Sequence, residues 1–281
     1  MKSPETVAID LGGTRLRLAA RNEKGEGVEW ERKAVPPTGL PAVLKVVWKK
    51  RGWTEVGRLI VGSKGIWTRS ERNTLRAQLK GLARIVTVMS DVELALHGAF
   101  APLSRPAHRI MLAAGTGSLA LGLTEKGRLV RAGGLGPPEG DEGSGWWIGR
   151  EFLRRRRRTG KNKSAGRLSI RQVAGLAKYV IARADTDELC SMIVHEAQNH
   201  LAQLVMLASD RMKARSPILL SWTGSLMVNA AFRDGVLQDL QQAHFCRYRF
   251  VPPEGSPART AAAHPERIPL KTPRSIPPLG P

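Results

Sequence analysis

Two short glycine turns, AIDLGGTRLR near the start of the chain and LAAGTGSLALG near its middle, each place groups that can grip a phosphate directly after an apolar strand. In the first, the strand ends in Asp10, and Gly12, Gly13 and Thr14 make the turn. Glycine lets the main chain approach a ligand closely, so successive backbone N–H groups can converge on phosphate oxygens. Asp10 offers a hard oxygen donor beside them, able to hold Mg²⁺ directly or through water. Gly115, Thr116, Gly117 and Ser118 repeat the strand-turn-strand pattern in the second half of the chain. One such turn also reads as an ordinary hairpin; two at matching positions point more strongly to a phosphate site.

Other carboxylates stand at element boundaries. VTVMSDVELALHGAF delivers Asp91 from the end of a strand to the start of a helix, where its residue type alone reads as an N-cap. In GGLGPPEGDEGSGWWIG, residues 133–149, a glycine-rich turn carries acids although the chain as a whole is basic. Asp141 is acceptor-only when ionised and can take two hydroxyls at once. Glu142 lies just ahead of the helix bearing Trp146 and Trp147, where the helix dipole also favours a negative charge. The tryptophans read as core.

The elements that position these residues follow a repeated order. TVAID, RLRLAARN and GVEWERKAV read as three antiparallel strands, LPAVLKVVWKKRG as a helix closed by Gly52, and RLIVGSKGIW as a strand and loop. SERNTLRAQLKGL reads as a helix capped by its serine, RIVTVMSD as a strand and DVELALHGAF as a helix. From about residue 106 the order begins again with RIMLAA, the GTGS turn and LALGLTEKGRLVRAG. Helices follow over 143–158 and 169–213, then the strand SPILLSW, a helix from GSLMVN and the strand CRYRFV. The expectation is an α/β protein with an N-terminal domain over 1–105, a C-terminal domain with inserted helices over 106–251, and a cleft between the two related halves. Residues 252–281 are proline-rich and read as a mostly irregular tail.

Composition narrows the function classes. The 281 residues carry a formal net charge of +21, enough to attract phosphates, and 42% hydrophobic residues can form a real core. The charge is spread along the chain, and neither an RRM nor a KH nor a paired Cys/His pattern occurs, which argues against nucleic acid as the main partner. The densest basic run, Arg154–Arg158 and onward, reads as a solvated helix end. Cys190 and Cys246 make neither a disulfide framework nor a metal spacing, so a reducing, cytoplasmic setting is expected. A membrane span is not expected. His195 and His200 are five apart and fall about 140° apart around a helix, so they do not make a shared metal site. Walker, dinucleotide and G-x-S-x-G patterns are missing from the sequence.

The paired DxGGT and GTGS turns on duplicated halves resemble the actin, hexokinase and heat-shock chaperone ATPase superfamily, with duplicated ribonuclease H-like domains. Within it, GGLGPPEGDEGSGWWIG resembles the corresponding segment of the N-acetylglucosamine kinases and of their relatives, the BadF/BadG-type activator ATPases of benzoyl-CoA reductase. The resemblance spans residues 5 to about 251 and is sharp at these motifs. It implies that Gly12, Gly13, Thr14, Arg15, Gly115, Thr116, Gly117 and Ser118 bind the phosphates of ATP, with Mg²⁺ at Asp10. Gly224 and Ser225, in LLSWTGSLMVN, would lie on the adenosine side. Asp91 would be the general base, and Ser90, Gly134, Gly136, Asp141, Glu142 and Ser144 would join it on the sugar side. The chain departs from the family pattern in Ser90, where Asn is usual, in Arg15 for Lys, in Thr223 for the first of two glycines, and in a proline-rich tail where a final apolar helix is usual.

The activity so implied is transfer of the ATP γ-phosphoryl group to a hydroxyl of an amino sugar, O6 of N-acetylglucosamine or a relative, by an enzyme that can be a homodimer. An activator ATPase driving a reductase, and a sugar or nucleotide sensor without turnover, remain open alternatives from the same fold.

Overall fold

The computed structural model describes residues 3–103, 105–137, 140–158, 168–214, 217–243 and 247–270. Cys246, His244, Ser104 and the last eleven positions of the tail thus lie outside the described residues, as does most of the basic segment beyond Arg158. The chain divides into two units: the stretch up to Arg105 joined by the segment from Pro252, and Pro106–Val251.

The first unit is built on β1 (Thr6–Leu11), β2 (Arg15–Arg21), β3 (Gly27–Lys33), α1 (Leu40–Arg51), β4 (Arg58–Ser63), α2 (Arg69–Gln78), β5 (Ile85–Met89) and α3 (Asp91–Ala99). Its five strands lie in the order β3-β2-β1-β4-β5. β1 pairs antiparallel with β2 and parallel with β4, and β5 extends the parallel half. β1 and β4 are buried along their whole length, which is why they read as continuous apolar runs, while β3 alternates and lies at the edge.

The second unit repeats the plan with β6 (Arg109–Ala114), β7 (Ser118–Leu123), β8 (Leu129–Gly133), α4 (Gly145–Arg158), α5 (Ile170–Gly175), α6 (Ala177–Ala182), α7 (Glu188–Met212), β9 (Ile218–Thr223), α8 (Ala230–Gln242) and β10 (Tyr248–Phe250). Its strand order is β10-β9-β6-β7-β8, with β6 antiparallel to β7 and parallel to β9. The fold is therefore a duplicated α/β arrangement with extra helices in the second copy. Trp146, Trp147 and the inward face of α7 form the second unit's core.

Two local expectations change. The first turn of α2 is capped by Thr68 rather than by Ser70: Thr68 Oγ1 accepts the Glu71 N–H, and Glu71 accepts the Thr68 and Trp67 N–H groups at 2.7 and 2.8 Å, closing a capping box. The segment after Pro252 is not irregular throughout. Pro257–Ala263 forms α9, capped by Ser256, with its proline at the first turn where the missing N–H costs nothing. Ala258, Ala261, Ala262 and Ile268 pack on Ala8, Ile60, Met89 and Leu94 of the first unit. Gly98 in α3 is the contact that admits α9: any Cβ there would collide with Thr260 Oγ1. Arg58, partly desolvated, donates to the carbonyls of Pro265 at 2.5 Å and Ile268 at 2.8 Å and ties the segment down.

Candidate functional site

In the first unit the chemistry gathers at the C-terminal ends of β1, β4 and β5. Asp10 is the penultimate residue of β1, opposite Arg17 on β2 and Gly62 on β4. Gly62 has no side chain because Leu94 of α3 fills the space; a Cβ there would lie 2.5 Å from Leu94 Cβ. That close approach brings the start of α3, and with it Asp91, to the strand ends.

Asp91 is not the N-cap of α3. Ser90 is the cap: its hydroxyl accepts the Glu93 N–H, and Glu93 Oε2 accepts the Ser90 N–H at 2.8 Å. The serine is fully buried, so its side chain is spent on the helix end rather than on the sugar contact expected of it. With capping taken over by Ser90, Asp91 occupies the first helical position and its carboxylate accepts the Val92 N–H at 3.0 Å. Burial, and next the charge of Asp10, push the Asp91 carboxyl up to about 6, against the opposing pull of the Val92 N–H and of Lys64. Burial likewise raises Asp10, opposed by Arg17, whose Nη1 stands 3.3 Å from its carboxylate.

Lys64 follows directly on β4 and its N–H bonds the Leu11 carbonyl. Its ammonium would lie 3.1 Å from a Cβ at Gly13, so glycine there leaves room for it. Gly12 closes the turn through its N–H to the Arg15 carbonyl at 3.0 Å, and Gly13 and Thr14 are exposed. Arg15, expected at the phosphates, instead pairs with Glu31 on β3, and Glu31 also takes Arg17 at 2.8 Å. Arg17 and Lys64 are the site cations that sequence reasoning missed. The signal for Arg17 was its place two residues after Arg15, on the same face of the strand and opposite Asp10.

In the second unit the expected residues converge on the GTGS turn. The Gly115 carbonyl accepts the Gly145 N–H at 2.8 Å, the Thr116 carbonyl the Trp146 N–H at 3.2 Å, and Ser118 Oγ donates to the Glu142 carbonyl at 2.7 Å. Asp141 adopts φ 64, and the Ser118 and Gly136 N–H groups donate to its buried carboxylate. A methyl at Gly117 would come within 2.6 Å of Asp141 Oδ2. The sugar-side expectation for Asp141 must therefore accommodate two backbone donors already on it. Burial raises its carboxyl all the same. Arg131 donates to the Gly133 and Gly134 carbonyls and shapes the glycine turn. Ser144 is fully buried and accepts the Trp147 N–H at 3.2 Å, a helix-capping role in place of a pocket contact. Gly224, at φ 100, lies against the Ala114 carbonyl, with no room for a Cβ, and Ser225 stands over Gly115.

No cluster of three or more His, Cys, Asp or Glu suited to a metal occurs among the described residues. Mg²⁺ does not need one, since it keeps several waters and takes one or two carboxylates plus phosphate oxygens, and buried Asp10 beside an exposed glycine turn fits that donor set. Cys190 is fully buried in α7, and burial pushes its thiol up to about 11. No described helix is long and apolar enough to cross a membrane.

Comparison with known proteins bears on the family and the fold. A curated N-acetylmuramic acid/N-acetylglucosamine kinase of Clostridium acetobutylicum is 31% identical over 97 residues, 34% of this chain and 30% of that protein. The crystal structure of a protein provisionally named N-acetylglucosamine kinase, from Chromobacterium violaceum, superposes with a TM-score of 0.71 at 22% identity, covering 92% of this chain and 98% of that one. Glucokinase of Balamuthia mandrillaris in complex with glucose gives 0.67 at 14% identity, covering 92% of each. At those identities the superpositions speak for the shared fold. The sequence itself matches the BadF/BadG/BcrA/BcrD ATPase family over residues 7–256, and the chain belongs to that family.

Proposed function

We propose that the protein is an ATP-dependent sugar kinase that transfers the γ-phosphoryl group to a hydroxyl of an amino sugar, O6 of N-acetylglucosamine or a close relative. The observation that carries this reading is the Asp10–Asp91 pair. One carboxylate sits at a strand end beside a glycine turn, and the other at a helix start with its carboxyl near 6, where a general base works at neutral pH.

Asp91 accepts the proton of the attacking hydroxyl as the new O–P bond forms and the bond from the γ-phosphorus to the ADP oxygen breaks. Asp10 would hold Mg²⁺, which when bound neutralises phosphate charge. Lys64 and the Gly12–Thr14 turn attract and orient phosphate oxygens. In the second unit, the Gly115–Ser118 turn and the Gly224–Ser225 turn are the proposed nucleotide contacts, and Asp141 and Glu142 the proposed sugar contacts. The muramic-acid relative and the basic composition keep an acidic N-acetylated sugar among the substrates.

The test is coupled ADP release with Mg·ATP against N-acetylglucosamine, glucosamine, N-acetylmannosamine, N-acetylmuramic acid and glucose, in the wild type and in Asp91→Asn. Sugar-dependent release that disappears in Asp91→Asn is the expected result. Release that needs no sugar would favour an activator ATPase, and nucleotide binding without release a sensor.

A further inference from the structure

Arg72 is one of the largest fully buried side chains among the described residues, and its guanidinium binds Glu93 through two hydrogen bonds of 3.1 and 2.8 Å. Both side chains are almost completely shielded from solvent, and Arg72 Nε has no partner among the described residues. Such a pair is a poor device for stability alone, because removing two charges from water offsets most of their attraction. Its location is more informative. Arg72 stands in the first turn of α2, directly behind the Thr68–Glu71 capping box, and its N–H bonds the Thr68 carbonyl at 3.1 Å. Glu93 stands in the first turn of α3, and the same Oε2 that receives Arg72 receives the Ser90 N–H. The fork therefore joins the two helix starts rigidly, and Asp91 lies between the two residues, Ser90 and Glu93, that it fixes.

We propose that Arg72 is a positioning residue for the phosphoryl-transfer reaction: through Glu93 and the Ser90 cap it sets the direction in which the Asp91 carboxylate meets the substrate hydroxyl. This rests on the reading of Asp91 as the general base. A bidentate fork restricts rotation as well as distance, which a single-point ammonium cannot do. The fork is shut away from solvent behind the helix starts, so its loss lowers turnover and leaves substrate binding in place.

The decisive variant is the double substitution Arg72→Met/Glu93→Gln. It removes both buried charges together, and glutamine still closes the capping box on Ser90. Full-length protein is assayed with Mg·ATP and the panel sugar that the wild type turns over fastest, beside Asp91→Asn and Arg72→Lys. Expected are an inactive Asp91→Asn, a double variant that melts cooperatively with kcat lowered about 10- to 100-fold and both KM values within about twofold, and a smaller fall in Arg72→Lys. A folded double variant with wild-type kcat beside an inactive Asp91→Asn overturns the role of Arg72 and leaves the kinase reading intact. Should the double variant fail to fold, Arg72→Lys decides: unchanged kcat overturns the inference and lowered kcat at unchanged KM supports it. Full activity in Asp91→Asn, or no sugar-dependent turnover in the wild type, overturns the kinase reading and this inference with it.

Discussion

Replacing Asp91 by asparagine is expected to make the protein more stable while abolishing its turnover. The Asp91 carboxyl lies at about 6 in the folded chain against 3.8 in a free peptide, chiefly through burial and the nearby Asp10. A difference of about two units corresponds to about 3 kcal/mol by which folding disfavours the ionised form. Below pH 3.8 both folded and unfolded chains hold the proton, and the group costs nothing. Between 3.8 and 6 the unfolded chain ionises while the folded chain keeps its proton, so wild-type stability falls with rising pH; above 6 the whole penalty is present. Asparagine keeps the oxygen that accepts the Val92 N–H and carries no charge. Its advantage should therefore be near zero at pH 3.5, grow through the window and reach about 3 kcal/mol at pH 7. Urea unfolding of both proteins across that range measures it. An advantage that is absent at pH 7, or the same at every pH, would refute the account of Asp91 as a desolvated carboxyl crowded by Asp10.

The same group sets the pH dependence of activity. The value of kcat/KM should fall about tenfold between pH 7 and pH 5 as Asp91 takes up its proton, with the inflection moving up in Lys64→Met, because that ammonium now favours the ionised form. Gly224→Ala places a Cβ against the Ala114 carbonyl at φ 100 and should cost about 2 kcal/mol or more, read as a lower melting temperature together with weakened binding of a fluorescent ATP analogue. Gly98→Val should displace α9, and limited proteolysis should then release the segment after Pro252 while the second unit stays protected. Arg15→Ala should change phosphate-side kinetics less than Arg17→Ala, because both pair with Glu31 but Arg17 also reaches the Asp10 carboxylate; equal effects would show that Arg15 leaves Glu31 for the substrate.

Periodicity and glycine placement in the sequence determined the duplicated strand order, the two turns and the positions of Asp10 and Asp91, because strand alternation and backbone approach depend on neighbours only a few residues away. What covers a residue depends on chain tens to hundreds of positions distant, and there tertiary structure decided. The proline-rich end reads as irregular from composition, yet a proline tolerated at a first helical turn and the missing side chain at Gly98, where Thr260 packs, make α9 a packed element of the first unit. Which of Ser90 and Asp91 caps α3 turns on Glu93, whose own orientation is held by Arg72 across the gap between two helices. Arg15 and Arg17 are alike in sequence and both pair with Glu31; the register that sets Arg17 opposite Asp10 separates them. The charge state of Asp91, on which the proposed chemistry rests, comes from desolvation and a second carboxylate that the fold brings beside it.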